Sequence, residues 1–247
     1  MTATLRVAVV GVGYLGKFHA RIYAAMPQVE LVGVVDADAA TAARIAQEYG
    51  CQAYARAEDL LGKVDAVSIV VPTIHHLEVA RPFLEAGVHM LMEKPLAATY
   101  ADAKAIVEIA ERHKVIFQVG HLERYNAGFM ALAESVKDPR FIEAHRLGTF
   151  VERATDVDVV TDLMIHDIDI VMSLVNSPIR DISAIGVPVL TEHADIANAR
   201  IEFENGAVAN VTASRVSNKK QRRIRVFGRH SYHALDFGDS QVEVAHA

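Results

Sequence analysis

The feature that most constrains the fold is a glycine pattern that follows a short apolar run near the start of the chain. Residues 5–10 lead into Gly11-Val12-Gly13-Tyr14-Leu15-Gly16, and helical periodicity follows at once. In this context the first glycine allows a tight turn, the second lets the main chain approach a pyrophosphate, and the third lets helix and strand pack closely. The N–H groups at the start of the helix attract an anion. The pattern predicts a dinucleotide site with contacts from Gly11, Gly13, Tyr14, Leu15 and Gly16.

Asp36 ends the second apolar run, 20 positions after Gly16, and indicates which dinucleotide binds. A carboxylate at this point accepts hydrogen bonds from the adenosine ribose, whereas it repels the 2′-phosphate of NADP. Arg44 follows in the next helical pattern and keeps NADP open as the less favoured cofactor. The alternative is that the glycines are ordinary turn residues and that Asp36 only caps a helix. We predict NAD, because strand, motif, helix, strand and acid occur in the required order.

Apolar periodicity up to Gly120 is typical of a parallel sheet covered by helices, because short Val- and Ile-rich runs alternate with amphipathic segments. We predict strands at 5–10, 29–36, 66–71, 88–92 and 115–119, and helices at 13–25, 39–49, 75–86 and 101–114. Gly50 and Gly87 mark helix ends, and Thr99 with Asp102 marks a helix start. The first domain is therefore predicted to be a Rossmann domain with a doubly wound parallel sheet, over residues 1–120.

After Gly120 the pattern changes to extended segments with few helices, which favours an antiparallel sheet. We predict a helix at 128–136, a strand at 141–150, a helix at 162–175 and then several strands. Asn205-Gly206 separates two alternating runs and accepts the positive φ angles of a tight hairpin. The expected fold class is α/β, with the Rossmann domain followed by an α+β domain at 121–247 whose open sheet is largely antiparallel.

Composition excludes several classes of function. The net charge of -6 argues against a nucleic-acid binder, and the basic run at 219–225 is interpreted as a solvated strand edge. No apolar run approaches the roughly 20 residues of a membrane span. The lone Cys51 excludes an internal disulfide framework and fits a cytoplasmic protein. The histidines form no metal-ligand grouping, so no metal is predicted.

Three further motifs, together with the glycine pattern, resemble the Gfo/Idh/MocA family of dehydrogenases over nearly the whole chain. They are Pro72-Thr73-Ile74-His75-His76, Met92-Glu93-Lys94-Pro95 and Asp162-Leu163-Met164-Ile165-His166-Asp167-Ile168-Asp169. The resemblance implies hydride transfer at a sugar or polyol carbon, with Lys94, Asp162 and His166 at the reacting hydroxyl. It also implies cofactor contacts from Pro72, Thr73, His76, Glu93 and Lys94.

The chemistry of this trio agrees with the resemblance. Oxidation of an alcohol needs a base for the hydroxyl proton and a positive group for the developing alkoxide. A histidine exchanges protons near neutral pH, so His166 suits the base, and Lys94 at the carboxyl end of a parallel strand suits the alkoxide. Asp162 lies four residues before His166, so on a helix it shares a face with it and can orient it. A hydrogen-bonded interior histidine and a surface lysine are the ordinary alternatives.

Further substrate contacts are expected where the two domains join. His121 follows the last strand of the first domain and could line the cleft, while a packed hinge is an equal alternative. Arg124 belongs to a segment that resembles the family's domain crossing. Arg124 could bind an anionic substrate group, although a salt bridge between the domains is favoured.

The expected function is NAD-dependent oxidation of a secondary hydroxyl of a sugar. The run Asp156-Val157-Asp158-Val159-Val160-Thr161-Asp162 resembles the branch of the family that oxidises UDP-N-acetylglucosamine at C3, which makes a nucleotide sugar the expected substrate. The alternatives are a polyol dehydrogenase of the inositol type and a regulatory protein that binds NAD(H) without turnover.

Family members generally continue beyond the point at which this chain stops, so the chain is expected to be truncated or to have a different end. Members usually pair through the open sheet, which implies a homo-oligomer through the second domain. The remaining expected partner is the sugar substrate, with no nucleic acid and no membrane.

Overall fold

The computed structural model describes residues 4–151, 157–239 and 241–246. The chain divides into two compact units, Met1–Gly120 and His121–Ala247. Each unit has its own sheet and its own buried core. Within the described ranges, no helix combines the length and the apolar character that are needed to cross a membrane.

The first unit is built on a six-stranded parallel sheet. Its strands are β1 (Leu5–Val10), β2 (Val29–Val35), β3 (Gln52–Tyr54), β4 (Ala66–Ile69), β5 (His89–Met92) and β6 (Phe117–Val119). They lie in the order β3-β2-β1-β4-β5-β6, so the order reverses between β1 and β4. The predicted doubly wound parallel sheet is confirmed. Ligands of such sheets bind at the carboxyl ends of the strands beside the reversal, which is where the predicted cofactor residues follow their strands.

Four helices accompany this sheet, namely α1 (Gly16–Ala25), α2 (Ala39–Tyr49), α3 (His76–Glu85) and α4 (Tyr100–His113). The predicted helix end at Gly50 and the predicted helix start at Thr99 are both confirmed by capping interactions. Gly50 ends α2 in the left-handed conformation with a φ of 69°. Thr99 caps α4, since its hydroxyl accepts a hydrogen bond from the N–H of Asp102 at 3.1 Å. The first helix starts at Gly16 rather than at residue 13, because Gly13 remains in the loop.

At the carboxyl edge of this sheet, two strand ends differ from the prediction, and one strand of the sheet was not predicted. Strand β2 ends at Val35 and β4 ends at Ile69, so Asp36 and residues 70–71 belong to the loops at the carboxyl edge. Strand β3 was not predicted, because three residues without an apolar run give no periodic signal. It pairs with β2 at the edge of the sheet.

The second unit is built on a seven-stranded sheet. Its strands are β7 (Phe141–Leu147), β8 (Ile179–Val187), β9 (Ile196–Phe203), β10 (Val208–Ser214), β11 (Gln221–Phe227), β12 (Ser231–Asp236) and β13 (Gln241–His246). Neighbours in the order β13-β12-β11-β7-β10-β9-β8 are antiparallel except for β7 and β10. The predicted, largely antiparallel sheet is confirmed. Gly206, with a φ of 84°, lies in the predicted hairpin between β9 and β10.

The interpretation of the basic run as a strand edge is wrong. Strand β11 lies inside the sheet, between β12 and β7. Its Ile224 and Val226 are buried in the core, while Arg225 on the opposite face pairs with Glu143 of β7. The alternation of charged and apolar residues in this run therefore reflects the two faces of an interior strand.

Helices α5 (Ala127–Ser135) and α6 (Ile165–Val175) contribute to the core of the second unit. Leu132 and Ile170 belong to the same buried cluster as Ile142 of β7. The predicted helix at 162–175 differs at its start, because Val160–Met164 form a π turn that leads into α6. This turn contains one of the predicted catalytic residues.

Candidate active site

The glycine loop has the close packing that its three glycines predict. Gly11 has a φ of 88°, and a Cβ atom there would lie 2.5 Å from the carbonyl oxygen of Val70. A Cβ on Gly16 would lie 1.8 Å from the carbonyl oxygen of Gly11. Gly13 is exposed, and a Cβ there would meet no atom of the described residues within 4 Å. The loop is therefore tight on its inner side and open at Gly13, as a backbone cradle for a pyrophosphate requires.

Asp36 lies directly after β2 and is bound to this loop. Its Oδ2 accepts a hydrogen bond from the N–H of Val12 at 2.8 Å, and its Oδ1 accepts one from the N–H of Asp38 at 2.9 Å. The carboxylate thus fixes the glycine loop relative to the end of β2. Its predicted contact with a ribose stays a prediction.

The segment after β4 forms a second loop at the same edge. Pro72 is exposed, and Thr73 begins a 3-10 turn that ends at His75. His76 is 1% exposed, and its two ring nitrogens lie 3.1 Å from the carbonyl oxygens of Val71 and Leu96. The imidazole therefore ties this loop to the segment after β5. The predicted cofactor contact of His76 is untested, and the observed bonds give its ring a supporting role.

Glu93 and Lys94 follow β5 directly. Glu93 is 8% exposed, and its Oε2 accepts a hydrogen bond from the N–H of Lys94 at 3.3 Å. Its Oε1 lies 3.1 Å from Nε2 of His19. Lys94 is partly buried and precedes a cis peptide bond to Pro95. Lys94, which is predicted to stabilise the developing alkoxide, thus lies at the carboxyl edge of the sheet and next to a buried carboxylate.

Sequence reasoning missed the side chains behind Glu93. His19 Nδ1 lies 3.2 Å from the hydroxyl of Ser68, which lies 2.7 Å from the hydroxyl of Tyr23. A signal was present, because His19 and Tyr23 are four residues apart on one helix face and Ser68 is polar within an apolar strand.

In the second unit, Asp162 and His166 lie on either side of a change in helix type. Asp162 belongs to the π turn and His166 to the first turn of α6, and both are partly buried. The expectation that both residues lie in one α-helix is therefore wrong, since the wider π turn bonds residue i to residue i+5. The approach of their two side chains stays a prediction. Single π turns occur frequently at functional sites, which agrees with a catalytic role for this segment.

Asp169, one turn further along α6, forms hydrogen bonds with Arg124 and lies near His121, the two predicted residues of the domain crossing. Nε and Nη2 of Arg124 each lie 2.7 Å from its carboxylate oxygens. Nδ1 of His121 lies 3.9 Å from its Oδ2. The favoured interpretation of Arg124 as a salt bridge between the domains is wrong, because Asp169 belongs to the same unit. The carboxylate of Asp169 also neutralises the positive charge of Arg124, with which a substrate anion would otherwise pair.

Arg146 is a buried cation that sequence reasoning missed. Its guanidinium binds both carboxylate oxygens of Asp167 and also Glu123, whose Oε1 lies 3.0 Å from Nη1. Burial raises the pKa of Asp167, although the hydrogen bonds from Arg146 act in the opposite direction. The signal was the alternation of β7, which places Arg146 on the same face as the buried Ile142 and Ala144.

A second buried carboxylate fixes the segment before the π turn. Asp195 is fully buried and accepts hydrogen bonds from the main-chain N–H groups of 189–191 and from the Thr191 hydroxyl. Burial alone would raise the pKa of Asp195, but these bonds hold it well below its usual range. Arg215 pairs with Asp195 and donates to the carbonyl of Val157. The loop before β9 is thereby joined to the chain that enters the π turn.

Lys94 lies in the first unit, whereas Asp162 and His166 lie in the second. Their convergence on one substrate stays a prediction. Asp156, which begins the run that resembles one family branch, lies outside the described residues. Within the part of the chain that the structure describes, no group of three His, Cys, Asp or Glu side chains could hold a metal ion.

Two sequence families match the chain, one for each unit. The family described as an oxidoreductase family with an NAD-binding Rossmann fold matches residues 5–121. The GFO/IDH/MocA C-terminal domain matches residues 133–232.

Individual proteins are similar over both units. The UDP-N-acetylglucosamine 3-dehydrogenase of Acidithiobacillus ferrooxidans is 41% identical over 243 residues, which are 98% of this chain and 77% of that protein. Its solved structure superimposes with a TM-score of 0.93 and covers 100% of this chain and 81% of the other. The inositol 2-dehydrogenase of Corynebacterium glutamicum is 34% identical over 188 residues, which are 72% of this chain and 56% of that protein.

Proposed function

The chain belongs to the Gfo/Idh/MocA family of NAD-dependent oxidoreductases, and we propose that it oxidises the C3 hydroxyl of UDP-N-acetylglucosamine. The observation that carries this proposal is the match to a UDP-N-acetylglucosamine 3-dehydrogenase across both units. That match includes the second unit, which contains the candidate substrate residues. The match to an inositol dehydrogenase is weaker and covers less of the chain.

The residues of the first unit fit a bound dinucleotide. A Cβ atom on Gly11 or Gly16 would clash with the main chain of Val70 or Gly11, so these glycines keep the loop tight, while Gly13 leaves its outer side open. We assign the pyrophosphate to this loop and the start of α1, and the adenosine ribose to Asp36. Pro72, Thr73 and Glu93 belong to loops at the same edge and remain assigned to the cofactor. Bound NAD supplies the acceptor for the hydride that leaves the substrate carbon.

The protein's own part in the reaction is to remove a proton and to stabilise charge. His166 accepts the proton of the substrate hydroxyl as general base. The ammonium group of Lys94 stabilises the oxygen as negative charge develops on it. Asp162 orients His166 or balances its charge once it is protonated. The substrate loses one C–H bond and one O–H bond, and a carbonyl group forms.

His121 and Arg124 remain proposed substrate residues, with a changed role for Arg124. Because Asp169 neutralises its guanidinium, we assign Arg124 to hydrogen bonding and to positioning of α6 rather than to binding a free anion. His121 contacts the same carboxylate from the start of the second unit. Together these contacts hold the face of α6 that carries His166.

We also propose that the protein forms a homo-oligomer through its second sheet. All nine residues of the edge strand β8 are exposed, including Ile182 at 55% and Ile185 at 65%. Ile185 lines a depression on the open face together with His145, Asn198 and Thr212. A long edge strand that exposes an isoleucine on each of its two faces is a surface that a second copy covers. A cytoplasmic location, which the lone Cys51 favours, remains part of the proposal.

The proposal is tested by incubating the protein with NAD and single candidate substrates, and by following the absorbance of reduced nicotinamide. We expect turnover with UDP-N-acetylglucosamine and a much slower rate with UDP-glucose or inositol. Substrate deuterated at C3 should react more slowly than substrate deuterated at C4, which identifies the carbon. Preferred turnover of inositol would replace the proposal with a polyol dehydrogenase. Tight NAD binding without any turnover would favour the regulatory alternative.

A further inference from the structure

A chain of four hydrogen-bonded side chains runs from α1 to the end of β5. It consists of Tyr23, Ser68, His19 and Glu93, with contacts of 2.7 Å, 3.2 Å and 3.1 Å in that order. Ser68 is fully buried, and the side chains of His19 and Glu93 are 14% and 10% exposed. The network is therefore shielded from water, so its geometry is set by its own donors and acceptors.

The direction of the hydrogen bonds follows from the groups themselves. An ionised carboxylate only accepts, so Nε2 of His19 donates to Glu93. In a neutral imidazole Nδ1 then accepts, and the hydroxyl of Ser68 donates to it. Ser68 Oγ in turn accepts from the hydroxyl of Tyr23. Each link has one donor and one acceptor, so the network selects the tautomer of His19 that binds Glu93.

Glu93 is fixed on its other side as well. Its Oε2 accepts the main-chain N–H of Lys94. A Cβ atom on Gly120 would lie 3.1–3.2 Å from its carboxyl group, so the glycine leaves the space that the carboxyl group fills. The carboxylate of Glu93 is therefore held between the imidazole of His19 and the main chain of Lys94, whose ammonium group is proposed to stabilise the alkoxide.

We propose that His19 is a positioning residue that acts on Lys94 through Glu93. The inference deepens the proposed function, since it rests on the role assigned there to Lys94. The imidazole orients the carboxylate of Glu93 so that one oxygen binds the main chain of Lys94 at the carboxyl edge of the sheet. The glycine motif assigns the start of α1 to cofactor binding. His19, in the next turn of the same helix, is assigned to the positioning of a catalytic residue.

Replacement of His19 separates this role from simple packing. His19→Leu removes both polar contacts, while His19→Gln keeps an N–H donor that can reach Glu93. Since a small displacement of a reacting group can cost up to about 100-fold, we expect kcat to fall about 10- to 100-fold in His19→Leu and to recover most of that loss in His19→Gln. The KM values and the Kd for NADH should change less than kcat does, because the variant disturbs the position of Lys94 without removing any side chain that is assigned to the cofactor or the substrate. The exposed His113 supplies the control, and His113→Leu should keep the wild-type kcat.

Hydrogen exchange at the main-chain N–H of Lys94 gives a readout that needs no turnover. It should be faster in His19→Leu than in the wild type and close to the wild-type rate in His19→Gln. Wild-type exchange at this amide in His19→Leu would overturn the inference. Absence of turnover in the wild type would count against the proposed function and leave the exchange experiment decisive.

A milder variant covers the case in which His19→Leu does not fold. Ser68→Ala keeps the imidazole and removes the hydroxyl that donates to Nδ1 and accepts from Tyr23, so the preference for one tautomer weakens. We expect faster exchange at the Lys94 amide and a drop in kcat of a few-fold, in line with loss of a supporting hydrogen bond. If both quantities stay at their wild-type values in Ser68→Ala, the inference is wrong.

Discussion

Arg146 and Asp167 form a bidentate ion pair, in which Nε and Nη2 lie 3.0 Å and 2.8 Å from the two carboxylate oxygens. Their side chains are 5% and 4% exposed. The pair joins β7 to the first turn of α6, and Asp167 is the neighbour of His166 in the chain. The proposed base is thus placed by a helix that is anchored directly beside it.

Replacing Arg146 with methionine should strongly destabilise the second unit. The change leaves the buried carboxylate of Asp167, and the partly buried one of Glu123, without their cation, which costs about 3–5 kcal/mol of the free energy of unfolding. Urea unfolding measures the loss. The control is Arg56→Met, which removes an exposed pair with Glu58 and should cost less than about 1 kcal/mol. A similar small loss for Arg146→Met would show that the buried pair is dispensable.

Asp195 should make the stability of the protein depend on acid pH. Its pKa in the folded state lies well below the value of about 3.9 in an unfolded chain, because the main-chain N–H groups of 189–191 and the Thr191 hydroxyl bind the carboxylate. The stabilisation is complete above the unfolded pKa and is lost as the pH falls below about 4 toward the folded pKa.

The measurement compares urea unfolding of the wild type and Asp195→Asn between neutral pH and pH of about 3. Asp195→Asn should be less stable at neutral pH, and the difference should shrink as the pH falls below about 4. Asp239→Asn, at an exposed turn, serves as the control and should follow the wild type at every pH. Parallel curves for Asp195→Asn and the wild type would contradict the prediction.

Periodicity predicted the fold well where elements were long or carried caps. The alternation of short apolar runs with helical segments identified five of the parallel strands, and Asn205-Gly206 identified a hairpin. Strand β3 could not be found in this way, since three residues form too short a pattern. The bounds of strands at the carboxyl edge were also set too late, because apolar residues continue from the strand into the loop.

For the candidate site, the elements that carry the residues were predictable, and the contacts between those residues were less so. The spacing from Asp162 to His166 reads the same in an α-helix and in a π turn, so the sequence alone does not separate them. Arg146 was detectable, since its place in β7 gives it the inward face, yet its partners lie in other elements. Pairing between distant segments depends on tertiary packing, which a single sequence does not encode as a local pattern.

The glycine loop offers a test that separates folding from cofactor binding. Gly16→Ala brings a Cβ atom against the carbonyl oxygen of Gly11, so we expect a loss of at least about 1–3 kcal/mol in stability. Gly13→Ala meets no described atom within 4 Å, so its stability should stay within about 1 kcal/mol of the wild type. Its affinity for NADH should still fall at least about 10-fold, because the methyl group occupies the side on which the pyrophosphate is placed. Fluorescence titration and thermal unfolding give the two values, and unchanged NADH affinity in Gly13→Ala would remove the pyrophosphate from this loop.

The proposed oligomer should dissociate when a charge is placed on the open face of the second sheet. Ile185 is paired with Asn198 on that face and is 65% exposed in the single chain. Burying an unpaired carboxylate in an interface is costly, so Ile185→Asp should shift the mass measured by light scattering toward that of one chain. Ile116→Asp, at a position that is 70% exposed in the first unit, should keep the wild-type mass. A single-chain mass for the wild type would refute the oligomer, and an unchanged oligomer in Ile185→Asp would move the interface elsewhere.

Lys94→Met tests the chemical step itself. The change keeps the length and the apolar part of the side chain and removes the ammonium group that stabilises the developing alkoxide. Loss of one such group typically lowers kcat by about 100- to 1,000-fold. The Kd for NADH should stay within about 2-fold, because the charge acts mainly on the transition state. Lys104→Met replaces an exposed lysine of α4 and should leave kcat unchanged. An equally active Lys94→Met would move the oxyanion role to another cation. A loss of NADH binding equal to the loss of kcat/KM would instead make Lys94 a cofactor anchor.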